Sequence, residues 1–464
     1  MPLIAKKNRI ERLTNGEVSW RTYAGDTRNK ILGLLNYTLY FSFFASLIFS
    51  LRAVSSLSIA AILLTGAITN KQALSSLFKK NYFTFFLAGC TVLFLLQVFG
   101  LLYTENIQQA LNSLRVKAGL LLIPLAVLLS LNFSPHVYQK LVKHYCLLLT
   151  IASLYCFVRA LLKHHYTNDS SVFFYHSLVS PIGQHAVYFS VLVMIGISFL
   201  TDSFYKKKVI IAGLINICLI VFLSAVLFML SSKLVILFYS LCLLYFFISF
   251  AKKSGVKRIT ISGFFLISLG LSSLILISKN PVSERFRDIT NGSLHMITQP
   301  HFSKADYFNG LQFRLLQWRF VPEILSENKS WWLGVGSGDA QDLLNRKYVS
   351  KNMYTGEKER NDIGYMAYNT HNQFLETLLQ NGIIGLTALL LTCFFAGKMA
   401  FESRKKTLIL IVLLFFAWLF TESVLERQYG IMIFIFFPLF ILQKENTTVA
   451  TKLNPGAEKI TLLQ

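Results

Sequence analysis

The sequence predicts an all-α, polytopic membrane protein of about twelve transmembrane helices with one large, partly helical loop on the outer face. Three observations predict it. First, 54% of the 464 residues are hydrophobic and only 14% are charged, against about 25% charged in soluble globular proteins. Second, apolar runs such as "YFTFFLAGCTVLFLLQVFGLL" (82–102) and "ITISGFFLISLGLSSLILIS" (259–278) reach the roughly 20 residues that cross a bilayer core. Third, the net charge of +23 is sorted by side: "YKKK" (205–208), "AKKSGVKR" (251–258) and "ESRKK" (402–406) all fall on one face of the membrane. That is the positive-inside bias, which expects both termini in the cytoplasm. The basic excess is therefore an orientation signal, and nucleic acid is set aside as a partner.

Taken in order, a cytoplasmic N-terminal segment (1–30) is polar and basic, with no short apolar stretch and cleavage site behind it, so the first span is expected to direct insertion. Nine spans follow within 31–278, near 31–51, 53–69, 82–103, 118–131, 144–162, 185–201, 209–230, 234–251 and 259–278. The stretch 208–251 is too long for one span and meets a polar turn at "LSSKL" (230–234), which makes it two. Three more spans near 373–396, 407–421 and 430–443 fill the unit 371–443, and a polar tail (444–464) ends inside as a loosely ordered segment. Between the ninth and tenth spans lies the outer loop, 279–370. Loops beyond about 15 residues are functional or disordered. Trp318, Trp331, Trp332 and the helical apolar spacing of "FRLLQWRFVPEIL" (313–325) favour a folded roof over a cavity. Six cysteines, all in apolar runs and none in a C-x-x-C pair, suggest neither a disulfide framework nor a metal site.

Candidate chemistry gathers at the outer rim. In "NTHNQFLE" (369–376), Asn369 or Thr370 can cap the tenth span, which puts His371 in its opening turn. An imidazole there is either an interfacial hydrogen bonder or a general base. Arg314 stands one helical turn before Trp318, with Arg319 beside it. Each arginine either faces water or binds an anion. Lys233 sits at the turn between two otherwise uncharged spans, where charge is costly and snorkelling is the plain alternative. Arg115 and Lys117 run against the charge bias at the outer mouth of the fourth span. Glu422, Glu426 and Arg427 close the eleventh span, either as an ion pair holding that end or as support for the site. "LGVGSGD" (333–339) lacks the following Lys-Ser/Thr of a nucleotide loop and reads as a flexible turn or backbone nest. Cations converging under a roof suit a diphosphate. At an outer membrane face this suggests a polyprenyl-diphosphate sugar donor.

With these residues in place, the chain resembles the O-antigen ligase and polymerase family of polytopic bacterial glycosyltransferases. "THNQFLETLLQNGIIG" (370–385) carries the family's His-Asn and paired-glycine signature. "FRLLQW" followed by "LGVGSGD" carries its Arg–Trp and Gly-x-Gly-x-Gly pattern. "GQHAVYFS" (183–190) resembles its Gly-x-His segment, with Ala186 where proline is common, which adds His185 to the candidate substrate-binding set. "MLSSKLVIL" (229–237) places Lys233 where the family has arginine, keeping the charge but losing the bidentate fork.

The resemblance implies glycan transfer from undecaprenyl diphosphate, at the periplasmic face of the bacterial inner membrane, without metal or other cofactor. His371, Arg314 and Lys233 would be catalytic. Arg115, Lys117, His185, Arg319, Glu422 and Arg427 would bind substrate. The acceptor expected first is lipid A-core. A repeat-unit polymerase or a protein glycosyltransferase uses the same chemistry on another acceptor. A transporter without catalysis is the reading from a different class, and transporters gather their charges near the midplane between repeats, a pattern this sequence lacks.

Overall fold

The structure, a computed structural model, describes residues 30–70, 81–130, 133–205, 213–253 and 294–453. Every regular element among the described residues is helical. In chain order they are α1 (Lys30–Ile48), α2 (Arg52–Thr69), α3 (Tyr82–Gly100), α4 (Ile107–Lys117), α5 (Gly119–Leu129), α6 (Pro135–Thr167), α7 (Tyr175–Val179), α8 (Ala186–Tyr205), α9 (Gly213–Met229) and α10 (Lys233–Lys253). Within the loop come α11 (Gly310–Glu327) and α12 (Ala340–Ser350), and after it α13 (Gln373–Glu402), α14 (Lys406–Thr421) and α15 (Gln428–Leu453).

Seven of the described helices are long and apolar enough to cross a membrane by length and composition, α4 and α5 counting as one, and four shorter apolar helices accompany them. Eleven of the expected spans therefore have a helix at their place. The ninth, near 259–278, falls outside the described residues, as do the N-terminal segment before residue 30 and the end of the tail. Several boundaries shift, the fifth span's helix running Pro135–Thr167 and the tenth's reaching Glu402. The fourth span begins at Ile107 because Asn106 caps α4, its side chain accepting from Gln109 N at 3.1 Å. The last helix continues to Leu453, past the boundary expected at 443, so the start of the tail is helical.

Helix ends follow local chemistry. Ser134 caps α6 with Pro135 in its first turn, where the missing N–H costs nothing. Asn309 and Gln312 form a capping box that starts α11. Asn372 starts α13, accepting from Phe374 N at 2.9 Å and Leu375 N at 3.1 Å. The bundle packs around α8, which is buried along almost all its length. Its aromatic centre includes Phe44, Tyr145, Phe436, Phe437 and Phe440.

The loop is a folded layer with its own apolar core. Phe313, Leu316, Phe320, Val321 and Ile324 of α11 meet Leu344 and Tyr348 of α12 and Leu379 of α13. The glycine run is a docking element rather than a flexible turn. Gly382 (φ 62°, ψ −161°) breaks α13, and the break forfeits the helical bonds that Ile383 and Ile384 would make to Leu379 and Gln380. The loop strand replaces them. Val335 N and Gly336 N donate to Leu379 O and Gln380 O at 2.9 and 3.0 Å, while Ile383 N and Ile384 N donate to Trp331 O and Trp332 O at 2.8 and 3.3 Å. The backbones approach so closely that a Cβ on Gly382 would lie 2.3 Å from the Trp332 carbonyl. Asp339 locks the other end of the run by accepting from Glu105 N and Asn106 N, each at 2.8 Å.

Candidate active site at the loop end of the bundle

His371 occupies a strained turn, with φ +47°, and such conformations persist only where surrounding bonds over-determine them. Here they do. From the loop side, Trp318 Nε1 donates to Thr370 O at 3.0 Å and Gln317 Nε2 to Asn369 O at 2.5 Å. From below, the buried Glu376 carboxylate accepts Thr370 N at 3.1 Å and Thr370 Oγ1 at 2.8 Å. The turn is thus clamped between α11 and the first half of α13.

The clamp delivers the imidazole to Glu422, at the end of α14: His371 Nδ1 and Glu422 Oε2 are 3.3 Å apart. The other oxygen, Oε1, accepts from Arg314 Nη2 at 3.2 Å. One carboxylate therefore joins the loop arginine to the turn histidine. Burial works against ionisation of Glu422 and is the largest influence. The hydrogen bond from His371 and the charges of His371, Arg314 and His185 outweigh it, holding the carboxyl below its ordinary range. With Nδ1 donating to that carboxylate, Nε2 carries the lone pair, which is the arrangement a general base requires.

A cavity of about 520 Å³ opens beside His185, lined among others by Arg52, His176, Tyr188, Glu426 and Arg427; His371, Glu422 and Arg314 are not among its lining residues. His185, ahead of α8, stands in electrostatic reach of both Glu422 and His371. Burial first, then the neighbouring His176 charge, push its pKa down to about 4, so it is neutral at physiological pH. Its ring stacks edge-on against His176 with centroids 4.4 Å apart, and its buried Nδ1 has no hydrogen-bond partner among the described residues. Arg427 lies over the Tyr188 ring, 5.9 Å from its centroid.

The other expected site residues separate. Lys233 is half-buried at the first position of α10. Asn216 near the start of α9 reaches Leu200 O near the end of α8, and Ser224 of α9 meets Tyr239 of α10. Hence α8, α9 and α10 alternate in direction, which puts Lys233 at the same end as His185. Arg319 is about 140° around α11 from Arg314. It braces the loop instead, bonding Glu323 at 2.7 Å and the carbonyls of Ile297 and Gln299 at 2.6 and 2.8 Å. Arg115 is exposed and donates to Asn112 of its own helix at 3.2 Å.

Lys117 is 3% exposed and sits in an ion pair with Glu426 at 3.0 Å, also donating to Gln97 at 3.1 Å and Gln380 at 2.5 Å. A lysine so enclosed ties α3, α4, α13 and the turn after α14 together. At the end of α14, Glu422 thus meets His371 and Arg314, while Glu426 pairs with Lys117 and also lines the cavity. Glu376 and His176 were not foreseen as site residues. A carboxylate inside an apolar helix is the signal that could have found the first.

Among the described residues no group of three or more His, Cys, Asp or Glu is arranged to hold a metal ion. No curated protein matches the chain. Residues 217–390 match the family model described as O-antigen ligase, a stretch that includes Lys233, Arg314, His371 and the Gly382 break. Over that stretch the chain is similar to the O-antigen ligase family.

Proposed function

We propose that this protein transfers a glycan from undecaprenyl diphosphate to an acceptor hydroxyl at the periplasmic face of the inner membrane, and that the acceptor is lipid A-core. The observation that carries this reading is the Arg314–Glu422–His371 constellation, at 3.2 and 3.3 Å, in a family of glycan-transferring membrane proteins.

His371 Nε2 takes the proton from the acceptor hydroxyl while that oxygen attacks the anomeric carbon. The bond from that carbon to the diphosphate oxygen breaks, and the electron pair leaves with the diphosphate. Glu422 orients the imidazole and stabilises the imidazolium that forms. Arg314, held by Glu422 through one nitrogen, presents its guanidinium to the charge developing on the leaving group. Lys233 and Arg427 add positive charge at the same end of the bundle. The folded loop layer excludes water, which would otherwise take the glycan by hydrolysis.

Mass spectrometry of envelope glycolipids from cells with and without the gene tests this reading. Loss of all long glycan from lipid A, with lipid-linked glycan accumulating, is the expected result. A single capped repeat on lipid A would reassign the acceptor to a growing chain and make the protein a polymerase. Unchanged glycolipids would reject both.

A further inference from the structure

The loop strand that mends α13 also exposes an apolar edge. Trp332 is 69% exposed and Trp331 37%, and beside them Leu102, at the end of α3, is 78% exposed. Leu333, Ile107, Ile383 and Ile384 complete the patch, all exposed. Three separate segments build it, and they are held in register: Tyr103 OH donates to Leu333 O at 2.7 Å, and Ile383 N to Trp331 O at 2.8 Å. A loop in water has no reason to fix two tryptophans outward beside bare leucine and isoleucine.

Two helix lengths place this edge. α3 has 19 residues and ends at Gly100, which at about 1.5 Å per residue spans about 28 Å. The part of α13 after the break, Ile383 to Glu402, spans about 30 Å. Each matches the roughly 30 Å of a bilayer's hydrocarbon core. Because α3 and α13 pack along each other, both reach the same level where Gly382 meets Trp332. The break thus falls at the boundary between hydrocarbon and headgroups. Below it the lipid-facing surface continues without interruption through Leu95 and Val92 of α3 and Leu390, Leu391 and Phe394 of α13, all exposed. Tryptophan favours that boundary because its apolar ring and N–H suit the two sides of it. Lys329, exposed two positions before Trp331, supplies a cation at headgroup height.

We propose that Trp331 and Trp332 form a membrane-interface anchor, seated in the phospholipid headgroup and upper acyl region of the leaflet at the loop end. It holds the folded loop layer, and with it the His371 turn, at a fixed height above the hydrocarbon. This assignment does not depend on the glycan-transfer reading.

The test is fluorescence of the full chain reconstituted in phosphatidylcholine vesicles, with or without lipid brominated in the upper acyl chain. Subtracting the spectrum of the Trp331→Phe/Trp332→Phe variant isolates these two rings. The variant leaves the backbone bonds of the docking strand untouched, and each single Trp→Phe variant repeats the reading should the double variant lose its native melting profile. The expected result is that brominated lipid quenches most of the difference emission while aqueous iodide quenches little. Quenching by iodide and not by bromine would overturn the proposal in favour of a loop standing in water. Quenching by neither would also overturn it, leaving protein, such as a second copy of the chain, as the cover.

Discussion

His371 Nδ1 and Glu422 Oε2 stand 3.3 Å apart although 51 positions separate them in the chain. The same carboxylate holds Arg314 by its second oxygen at 3.2 Å. Replacing Glu422 with Gln would leave a hydrogen-bonding group but remove the charge that orients and stabilises an imidazolium. We expect kcat for glycan transfer to fall, with KM for the lipid-linked donor changing less. Steady-state kinetics of the purified variant measure this, and a fall confined to KM would make Glu422 a binding residue only.

The His185 pocket sets a pH limit. Its pKa of about 4 lies below the ordinary 6.5. Between these values the unfolded chain holds a proton that the folded chain refuses, so stability declines as pH drops from about 6.5 to about 4. The decline amounts to at most about 3 kcal/mol. His185→Gln should flatten that part of the curve of melting temperature against pH. Glu422, with its depressed carboxyl, also loses stability toward acid, but in a lower window, so the variant separates the two.

Gly382 is where backbone geometry leaves least choice. Its φ of 62° and ψ of −161° belong almost to glycine alone, and a Cβ would enter the Trp332 carbonyl. Gly382→Ala should therefore cost at least about 1–3 kcal/mol from conformation alone. Limited proteolysis should find the 331–336 strand newly cleavable, whereas Gly213→Ala, with open space around its Cβ, should change neither melting nor cleavage.

Removing the cation from the Lys117–Glu426 pair leaves a half-buried carboxylate without its partner, which costs at most the roughly 3–5 kcal/mol of a fully buried pair. Lys117→Met should lower the melting temperature sharply. If the residue instead bound substrate, the variant would melt normally and lose only affinity for the donor.

Much of this was legible from residues alone. Apolar runs marked the spans because hydrocarbon excludes charged and polar side chains. The cap, however, is Asn372 rather than the expected Asn369 or Thr370, so His371 stands just ahead of the helix instead of in its opening turn. Arg314 followed from its spacing to Trp318 on α11. The partners were not legible. Glu422 meets His371 through packing between helices, which leaves no local period to read. Lys117 stood at the right end of the bundle, yet whether a lysine greets solvent or a half-buried glutamate depends on what three other helices bring to it. Gly382 stood out as one of the paired glycines of the resemblance but not as a break, because a break mended by a distant loop segment leaves the hydrophobic pattern intact.

The central claim is tested most directly by single-turnover transfer with purified His371→Ala, undecaprenyl-diphosphate-linked glycan and lipid A-core in proteoliposomes. The predicted result is a well-folded protein that still binds donor but transfers about 10²–10⁴-fold more slowly. Transfer at the wild-type rate by that variant would contradict it.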